Sequence, residues 1–453
     1  MLFFYSTNLC HNSWVVSKIE SPFILTWRIY MKIKITFLSA LILCFSFNLF
    51  AAGSVKIGAS MPLTGMFAVP GSKHVEGYEM CVDIINANGG WLGKEVILLA
   101  IDNRSDTETS ISQYERFINV DKVDLVFGTF SSKLTFPTST ILAKYNYVLP
   151  IPSGGALRIY RRGFKNLFYF QSNPAEYYGK QLLAVVRDRA SAADQPKTVA
   201  VVHADDFFAN SIANGLLGKK VKLPGSGKLV EDMSPGYVVQ AGMKLVYHEQ
   251  WPEEGFSDWL TLANSIKNSG AEMVIGMMAS PEEAVQLTRA LKTVRHNPKH
   301  LVLTQGTQSE FLEGLGDATE GIMIYSAWHD KAPFEGTLGG KRMNNSDFVA
   351  KYKAKNGKLP DEDVAITFAL CQGIDQAVNA TRSVDNAKIM SWLQTRTSRN
   401  PVKTILGDYY WDSTGLPINK QALIVQWQDG ELKFIYPTNE FQASSMISPK
   451  PSW

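Results

Sequence analysis

Small polar residues stand at the ends of two predicted strands, where a ligand could meet free backbone N–H groups. Ser131 and Ser132 follow the third predicted strand, and Ser153, Gly154 and Gly155 follow the fourth. In open α/β sheets, ligands bind beyond the carboxyl ends of the strands, where helix N-termini point their N–H groups outward. Serine hydroxyls and bare N–H groups can hold a carboxylate or carbonyl oxygen without a cation. We therefore predict a site for a small polar ligand, although serine and glycine also favour ordinary turns.

Catalytic chemistry has weaker support in the sequence. Asp205 and Asp206 could act as an acid and a base, and His203 lies nearby. The sequence nevertheless contains no nucleophile elbow, no P-loop and no metal-ligand spacing, and its four cysteines form no CxxC pair. The formal net charge is +3 without a basic block, which argues against a nucleic-acid surface. We expect a binding protein without enzymatic activity, metal, cofactor or nucleic-acid partner.

The N-terminal region has the residue order of a secretory signal peptide. Met31 is followed by Lys32 and Lys34, then by an apolar run at 35–50 and small residues at 51–53. A transmembrane helix needs about 20 apolar residues, so the shorter run makes an uncleaved anchor the lesser alternative.

The signal peptide sets the expected mature chain and its compartment. We interpret residues 1–30 as an over-extended start and residues 31–53 as the signal peptide, cleaved before Ser54. The mature chain would then lie in the periplasm and keep only Cys81 and Cys371. Both cysteines lie in helical patterns, so we expect buried free thiols.

From Ser54 onward the pattern alternates strand and helix, which is typical of a parallel sheet covered on both faces. The alternation restarts after Pro174, which predicts a second doubly wound unit. The Pro- and Gly-rich stretch 219–242 is predicted to be a surface-loop insertion. After about Tyr325 the chain becomes mainly helical, and its last strands form an antiparallel hairpin around Asp429. The predicted fold class is α/β with two doubly wound lobes.

Several motifs, taken in order, are similar to one protein family. They are Val55-Lys56-Ile57-Gly58, Pro62-Leu63-Thr64-Gly65, Ile84-Ile85-Asn86-Ala87-Asn88-Gly89-Gly90, Val126-Phe127-Gly128 and Gly321-Ile322-Met323. The chain from Val55 to about Tyr436 resembles the leucine/isoleucine/valine-binding family of periplasmic proteins, which serve ABC transporters. No single motif is specific, but their combined order is.

The resemblance implies a type I periplasmic-binding fold, in which a hinge of three crossings joins two lobes. Residues 54–176 and 328–407 would form lobe 1, and residues 177–327 and 408–436 would form lobe 2. Residues 437–453 would remain as a C-terminal tail.

The resemblance also assigns roles to residues of the predicted site. Ser132 aligns with the serine that binds the ligand carboxylate, and Gly154 and Gly155 fall where the family uses backbone groups. Phe208 aligns with a family tyrosine that closes over the ligand, and Phe67 lies in a loop that covers it. An aromatic surface there could cover an apolar side chain, although Phe208 could equally pack a helix start.

One position departs from family members that bind amino acids. These members use an acidic residue after the strand that is 301–304 here, whereas this chain has Gln305 and Gly306. A buried ammonium without a partner would be costly. Either Asp205 or Asp206 replaces the missing charge, or the ligand is not an α-amino acid.

The function that the resemblance implies is import. We expect the periplasmic substrate-binding component of an ABC importer for branched-chain amino acids or related small amides, ureas or short carboxylates. Hinge closure over the ligand would let the protein dock on an inner-membrane permease. The alternative is a ligand-sensing receptor subunit of the same fold, of the amide or urea type, that signals to a membrane partner.

Overall fold

The computed structural model describes residues 53–453. The interpretation of residues 1–30 as an over-extended start lies outside these residues, and so does the predicted signal peptide apart from Gly53. No helix within 53–453 combines the length and the apolar character that crossing a membrane requires.

The first part of the chain forms parallel strands with helices between them. Its strands are β1 (Ser54–Met61), β2 (Glu95–Asp102), β3 (Leu125–Phe127), β4 (Leu149–Ile151) and β5 (Leu167–Tyr169). Its helices are α1 (Ala68–Ala87), α2 (Thr107–Arg116), α3 (Ser132–Lys144) and α4 (Leu157–Tyr160), and a π-helical turn, Phe117–Asp121, follows α2. The pairs β2–β1, β1–β3 and β4–β5 are parallel. The Gly128 N–H donates to the Pro150 carbonyl (3.1 Å), which brings β4 beside β3.

The second part repeats the alternation of strand and helix. Its strands are β6 (Thr198–Ala204), β7 (Lys220–Lys222), β8 (Leu229–Asp232), β9 (Lys244–Trp251), β10 (Met273–Met277), β11 (His300–Leu303) and β12 (Met323–Ser326). Its helices are α5 (Tyr178–Arg189), α6 (Phe207–Leu217), α7 (Tyr237–Gln240), α8 (Trp259–Asn268), α9 (Pro281–Thr293) and α10 (Ser309–Leu315). Two 3₁₀ turns, Ala175–Tyr177 and Gly316–Thr319, precede α5 and follow α10.

The third part contains long helices and short strands. Its strands are β13 (Glu335–Leu338), β14 (Lys341–Asn344), β15 (Val402–Thr404), β16 (Gly407–Tyr409), β17 (Leu423–Gln428) and β18 (Glu431–Tyr436). Its helices are α11 (Asn345–Asn356), α12 (Glu362–Thr381) and α13 (Asn386–Gln394). The antiparallel pairs β13–β14 and β15–β16 add strands to a region that the sequence predicts to be mainly helical.

A seven-stranded sheet organises the second part and the end of the chain, in the order β18-β17-β12-β11-β10-β6-β9. The pairs among β9, β6, β10, β11 and β12 are parallel, whereas β17 and β18 join antiparallel. Every residue of β10 is buried, as expected for a central strand that is covered on both faces. The predicted α/β class and the C-terminal hairpin are confirmed.

The stretch 219–242 is more ordered than the predicted surface loop. β7 and β8 pair as an antiparallel hairpin, and α7 follows them. Val221, Met233 and Val238 are buried, and α7 packs against α5 and α6. The prediction is wrong here because the Pro and Gly residues form the turns of a packed hairpin. Of its strand residues only Val221 lies between two charged ones, so the alternation is too short to indicate a strand.

Cys81 and Cys371 form a disulfide bond, so the prediction of free thiols is wrong. Cys81 lies in α1 and Cys371 in α12, and both are fully buried. The helical pattern of each segment predicts the burial. It does not reveal that two helices 290 residues apart place these residues face to face.

Removing the disulfide is expected to destabilise the protein markedly. The double variant Cys81→Ala, Cys371→Ala should lose about 2–5 kcal/mol of unfolding free energy, because the bond restricts a long loop of the unfolded chain. Urea denaturation of the variant and of the wild type, each with and without reductant, measures the effect. Reductant should destabilise only the wild type. Equal stability of the oxidised wild type and the variant would contradict the expectation.

Candidate functional site

A cavity of about 60 Å³ lies at the carboxyl ends of strands from the β2-β1-β3 sheet, the β4–β5 pair and the seven-stranded sheet. Residues that follow β3, β4, β6, β10 and β11 line it, together with Tyr325 of β12 and the start of α12. Strand ends of parallel sheets are where α/β proteins bind ligands, so this cavity is the candidate site.

Most of the sequence-predicted site residues line this one cavity. They are Phe67, Ser131, Ser132, Ser153, Gly154, Asp206, Phe208 and Gln305. Gly155 and Gly306 lie outside the lining. The Gly155 carbonyl accepts from the Ala175 N–H (2.8 Å), and the Gly306 carbonyl accepts from the Trp427 indole N–H (2.9 Å).

Ser131 and Ser132 present hydroxyl donors at the start of α3. Ser131 Oγ accepts a hydrogen bond from the Leu134 N–H (3.3 Å), and Ser132 Oγ accepts one from the Ala156 N–H (3.3 Å). Because both oxygens already accept, their hydroxyl hydrogens are free to donate to a ligand. The N-terminus of α3 adds a favourable field for negative charge. Ser131 also has a φ of 71°, the kind of strained backbone that clusters at ligand sites.

Ser153 has the opposite polarity, because His74 fixes the direction of its hydrogen bond. His74 is fully buried, and burial lowers its pKa to about 3, so the ring is neutral. Its Nδ1 lies 2.9 Å from the Pro70 carbonyl, which can only accept, and we therefore place the ring hydrogen on Nδ1. Nε2 then accepts the Ser153 hydroxyl hydrogen (3.0 Å). Ser153 Oγ also accepts from the Gln171 side-chain amide (3.5 Å), so it has one lone pair left, and no hydrogen, to offer to a ligand.

Asp206 brings a carboxylate oxygen that no described residue satisfies. Its Oδ1 accepts from the N–H groups of Phe208 (2.8 Å) and Ala209 (3.0 Å) at the start of α6. Its Oδ2 is buried, and none of the described residues donates to it. Burial raises the pKa of Asp206 to about 6.

Asp205, the other acid that the sequence offered, points away from the cavity. It is exposed, and its Oδ1 accepts from the side chains of Asn210 (2.8 Å) and Gln250 (2.6 Å). The structure therefore places only Asp206 where it can meet a ligand.

Two further carboxylates of the site, Glu362 and Asp363, were missed by sequence reasoning. Glu362 accepts from the Thr307 hydroxyl (3.0 Å) and the Ala327 N–H (2.7 Å), and burial raises its pKa to about 7. Asp363 accepts from the Gln308 amide (2.8 Å), and burial raises its pKa well above the ordinary value. Acidic residues at a helix start normally complement the helix dipole, so their pattern carries no sign of a ligand site.

Aromatic side chains form much of the remaining wall. Phe67 and Phe208 were predicted, whereas Phe130, Tyr169 and Tyr325 were not. The rings of Phe67 and Phe130 pack at a centroid distance of 5.6 Å. Tyr178 lies behind the wall, stacked on Tyr325 at 3.7 Å and edge-on to Phe208 at 5.7 Å. The wall is therefore apolar but rigidly packed, which suits an alkyl or aromatic ligand group.

An ion pair joins the two halves of the structure near the cavity. Lys133, the residue after Ser132, lies 2.8 Å from Glu253, which follows β9. Within residues 53–453, no group of three or more His, Cys, Asp or Glu side chains is arranged to hold a metal ion.

Known proteins share this architecture. The family model described as periplasmic binding protein matches residues 54–222 and 224–431. A relative from Brucella suis, Leu/Ile/Val-binding protein homolog 7, is 24% identical over 396 residues, covering 85% of this chain and 92% of the relative.

Solved structures agree with the predicted type I fold. One is a branched-chain amino acid transporter substrate-binding protein of Streptococcus pneumoniae in complex with isoleucine. It has a TM-score of 0.69 at 19% identity, covering 85% of this chain and 100% of that one. Another is an ABC-transporter solute-binding protein of R. palustris in complex with benzoate. It has a TM-score of 0.68 at 15% identity, covering 88% and 98% of the two chains.

The unsatisfied carboxylate of Asp206 is expected to cost stability in a pH-dependent way. Because folding raises its pKa from 3.8 to about 6, stability is lost as the pH rises through this range. Asp206→Asn should therefore be more stable than the wild type by about 2–3 kcal/mol at pH 7.5, and similar at pH 3.5. Urea denaturation at both pH values measures this.

The exposed neighbour provides the control for this measurement. Asp205→Asn should change the unfolding free energy by less than about 0.5 kcal/mol at either pH, as is usual for surface substitutions. A wild type as stable as Asp206→Asn at pH 7.5 would contradict the expectation.

Proposed function

We propose that this chain, which belongs to the periplasmic binding protein family, is the substrate-binding component of an ABC importer for branched-chain amino acids or related small amides or carboxylates. One observation carries the proposal. The free Oδ2 of Asp206 and the free hydroxyl hydrogens of Ser131 and Ser132 face the same buried cavity. A carboxylate fits the hydroxyls, and an ammonium or amide N–H fits the aspartate.

The polarity of the cavity supports a ligand with two different polar ends. The ligand carboxylate or carbonyl would accept from Ser131, Ser132 and the first N–H groups of α3. The ligand ammonium would donate to Asp206 and to Ser153 Oγ. Asp206 thereby supplies the charge that family members carry at the position of Gly306.

Hinge closure is the proposed mechanism. Residues 54–176 and 328–407 would form lobe 1, and residues 177–327 and 408–436 would form lobe 2. The antiparallel pairing of β17 with β12 supports placing residues 408–436 in lobe 2, because it adds the end of the chain to the seven-stranded sheet.

A ligand between the lobes would shift the open–closed equilibrium. Ser131 and Ser132 follow β3 of the three-stranded sheet β2-β1-β3, and Asp206 follows β6 of the seven-stranded sheet. One ligand that contacts both therefore gains affinity only when the lobes approach. To move a population from about 1:99 to 99:1, it must bind the closed state about ten-thousand-fold better.

The periplasm is the proposed location, and an inner-membrane permease is the proposed partner. The signal-peptide pattern at 31–53 supports export. The Cys81–Cys371 disulfide supports it independently, because disulfides persist in oxidising compartments such as the periplasm. We propose that the protein binds its ligand without converting it, as binding proteins do.

Ligand screening tests the proposal. Purified residues 54–453 should show a thermal shift and calorimetric binding with at least one of leucine, isoleucine, valine, leucinamide, urea, butyrate or benzoate. Native mass spectrometry should detect a copurified ligand in the same preparation. Absence of any binding would refute the proposed function, and turnover of a bound compound would replace it with an enzymatic one.

Ser132→Ala is expected to weaken binding of a carboxylate ligand. The substitution removes one hydrogen bond to a charged group, so the Kd for the amino acid that binds in the screen should rise about ten-fold to a hundred-fold. Isothermal titration calorimetry measures the change. Ser226→Ala, in the exposed hairpin turn, is the matched control and should bind like the wild type. An unchanged Kd for Ser132→Ala would show that the carboxylate binds elsewhere.

A further inference from the structure

Phe207 begins α6 in the second part of the chain, yet its ring packs against the first part. The ring lies beside that of Phe136 in α3, at a centroid distance of 5.2 Å. The guanidinium carbon of Arg158 in α4 lies 4.0 Å from the centroid of the Phe207 ring. The buried residues of the apolar cluster on which Phe207 packs all lie within 114–169, apart from Leu416. Phe207 therefore bridges the two parts that the proposed hinge closure would bring together.

The Phe207 ring is a partner for the charge of Arg158. Arg158 Nε is buried, and none of the described residues accepts a hydrogen bond from it. Burial also lowers the pKa of Arg158, although the carboxyl of Glu176 acts in the opposite direction. An aromatic face attracts a guanidinium, and the attraction is stronger where water is excluded. The contact between this ring and Arg158 therefore stabilises the arrangement in which the two parts touch.

The groups that face the ligand site and the groups that bridge the two parts lie side by side on the same helices. At the start of α6, Asp206 and Phe208 line the cavity, whereas Phe207 between them packs on the first part. At the start of α3, Ser132 lines the cavity, and Phe136 lies about one turn further along. Because one helical turn spans only about 5.4 Å, a movement that brings the ligand groups of the two helices together also brings the two rings together.

The ion pair between Lys133 and Glu253 is a second contact between α3 and the second part. Lys133 and Phe136 are three residues apart, so they lie on the same side of α3. Both side chains of the ion pair are partly exposed. Ion pairs of this kind contribute little to stability, so we assign the larger contribution to the ring of Phe207.

We propose that Phe207 is a positioning residue that sets the affinity for the ligand without touching it. Phe207, Phe136 and Arg158 are not among the described residues that line the cavity. Phe207 holds the lobes together through its contacts with the other two residues, and these contacts are lost when the lobes separate. This inference rests on the proposed function, because it requires hinge closure over a ligand.

Phe207→Ala tests the inference through the rate of ligand release. Contacts that form only in the closed complex slow dissociation and leave association nearly unchanged. Loss of an aromatic pair and of a partly desolvated cation–π contact should raise koff about ten-fold, with kon within about two-fold of the wild type. Stopped-flow fluorescence on purified residues 54–453 measures both rates. Isoleucine is the first probe, followed by the other compounds of the screening panel.

A residue that acts through closure should affect all ligands alike. Every panel compound that binds the wild type should lose affinity by the same factor in Phe207→Ala, so the ratios of their Kd values stay constant. Phe208→Ala, which removes a ring of the cavity wall, should change these ratios. Altered ratios in Phe207→Ala would show that the ring shapes the site itself, and they would overturn the inference.

Phe164→Ala is the matched control. Phe164 is half-buried like Phe207, and its ring lies 4.7 Å from the Arg162 guanidinium, but both of these residues belong to the first part. The control should keep koff within about two-fold of the wild type, because its contact does not depend on closure. Phe207→Tyr keeps the ring and should release ligand like the wild type.

Folding of each variant is checked by circular dichroism and thermal unfolding without ligand. Phe207→Leu, which keeps an apolar side chain but no ring face, is measured in parallel and should also raise koff, so the test stands if the alanine variant does not fold. Unchanged koff in the folded Phe207 variants, or an equal rise in Phe164→Ala, would overturn the inference while the proposed function stands. If the wild type binds no compound of the panel, both are overturned.

Discussion

The packing of α1 against α12 is the contact on which both the fold and the site depend. Three residue pairs face each other along the two helices at spacings of three or four residues. They are His74 with Asp363, Gly77 with Thr367, and Cys81 with Cys371. A Cβ at position 77 would lie 2.1 Å from Thr367 Oγ1 and 2.3 Å from a backbone carbonyl, so the helices approach this closely only because the residue is glycine. The disulfide then holds together two segments that are 290 residues apart in the chain.

This helix pair lets the protein keep an arrangement of buried acids that opposes folding. Asp363 is buried and Glu362 is half-buried at the end of α12 nearest the cavity, and Asp206 is buried at the start of α6. Buried acids without counter-charges destabilise the folded state. A covalent bond and a closely packed helix interface offset that cost elsewhere in the molecule. A ligand that donates to the free Oδ2 of Asp206 can offset part of that cost when it binds.

Strands of different sheets contribute different polar groups to the cavity. The β2-β1-β3 sheet supplies hydroxyl donors through Ser131 and Ser132, and the seven-stranded sheet supplies an acceptor through Asp206. The placement of Ser131 and Ser132 on one side and Asp206 on the other supports the proposed hinge closure.

The sequence by itself determined the strand–helix alternation, the family and about half of the cavity wall. These depend on local patterns, and strand ends with small polar residues such as Ser132 and Gly154 are visible without a structure. Only the tertiary structure decided that Asp206 faces the cavity, that Ser153 accepts rather than donates, and that α12 adds Glu362 and Asp363. It also decided the disulfide. These features depend on which distant segments meet, or on the direction of a buried hydrogen bond. The spacing of residues along the chain encodes neither of these two things.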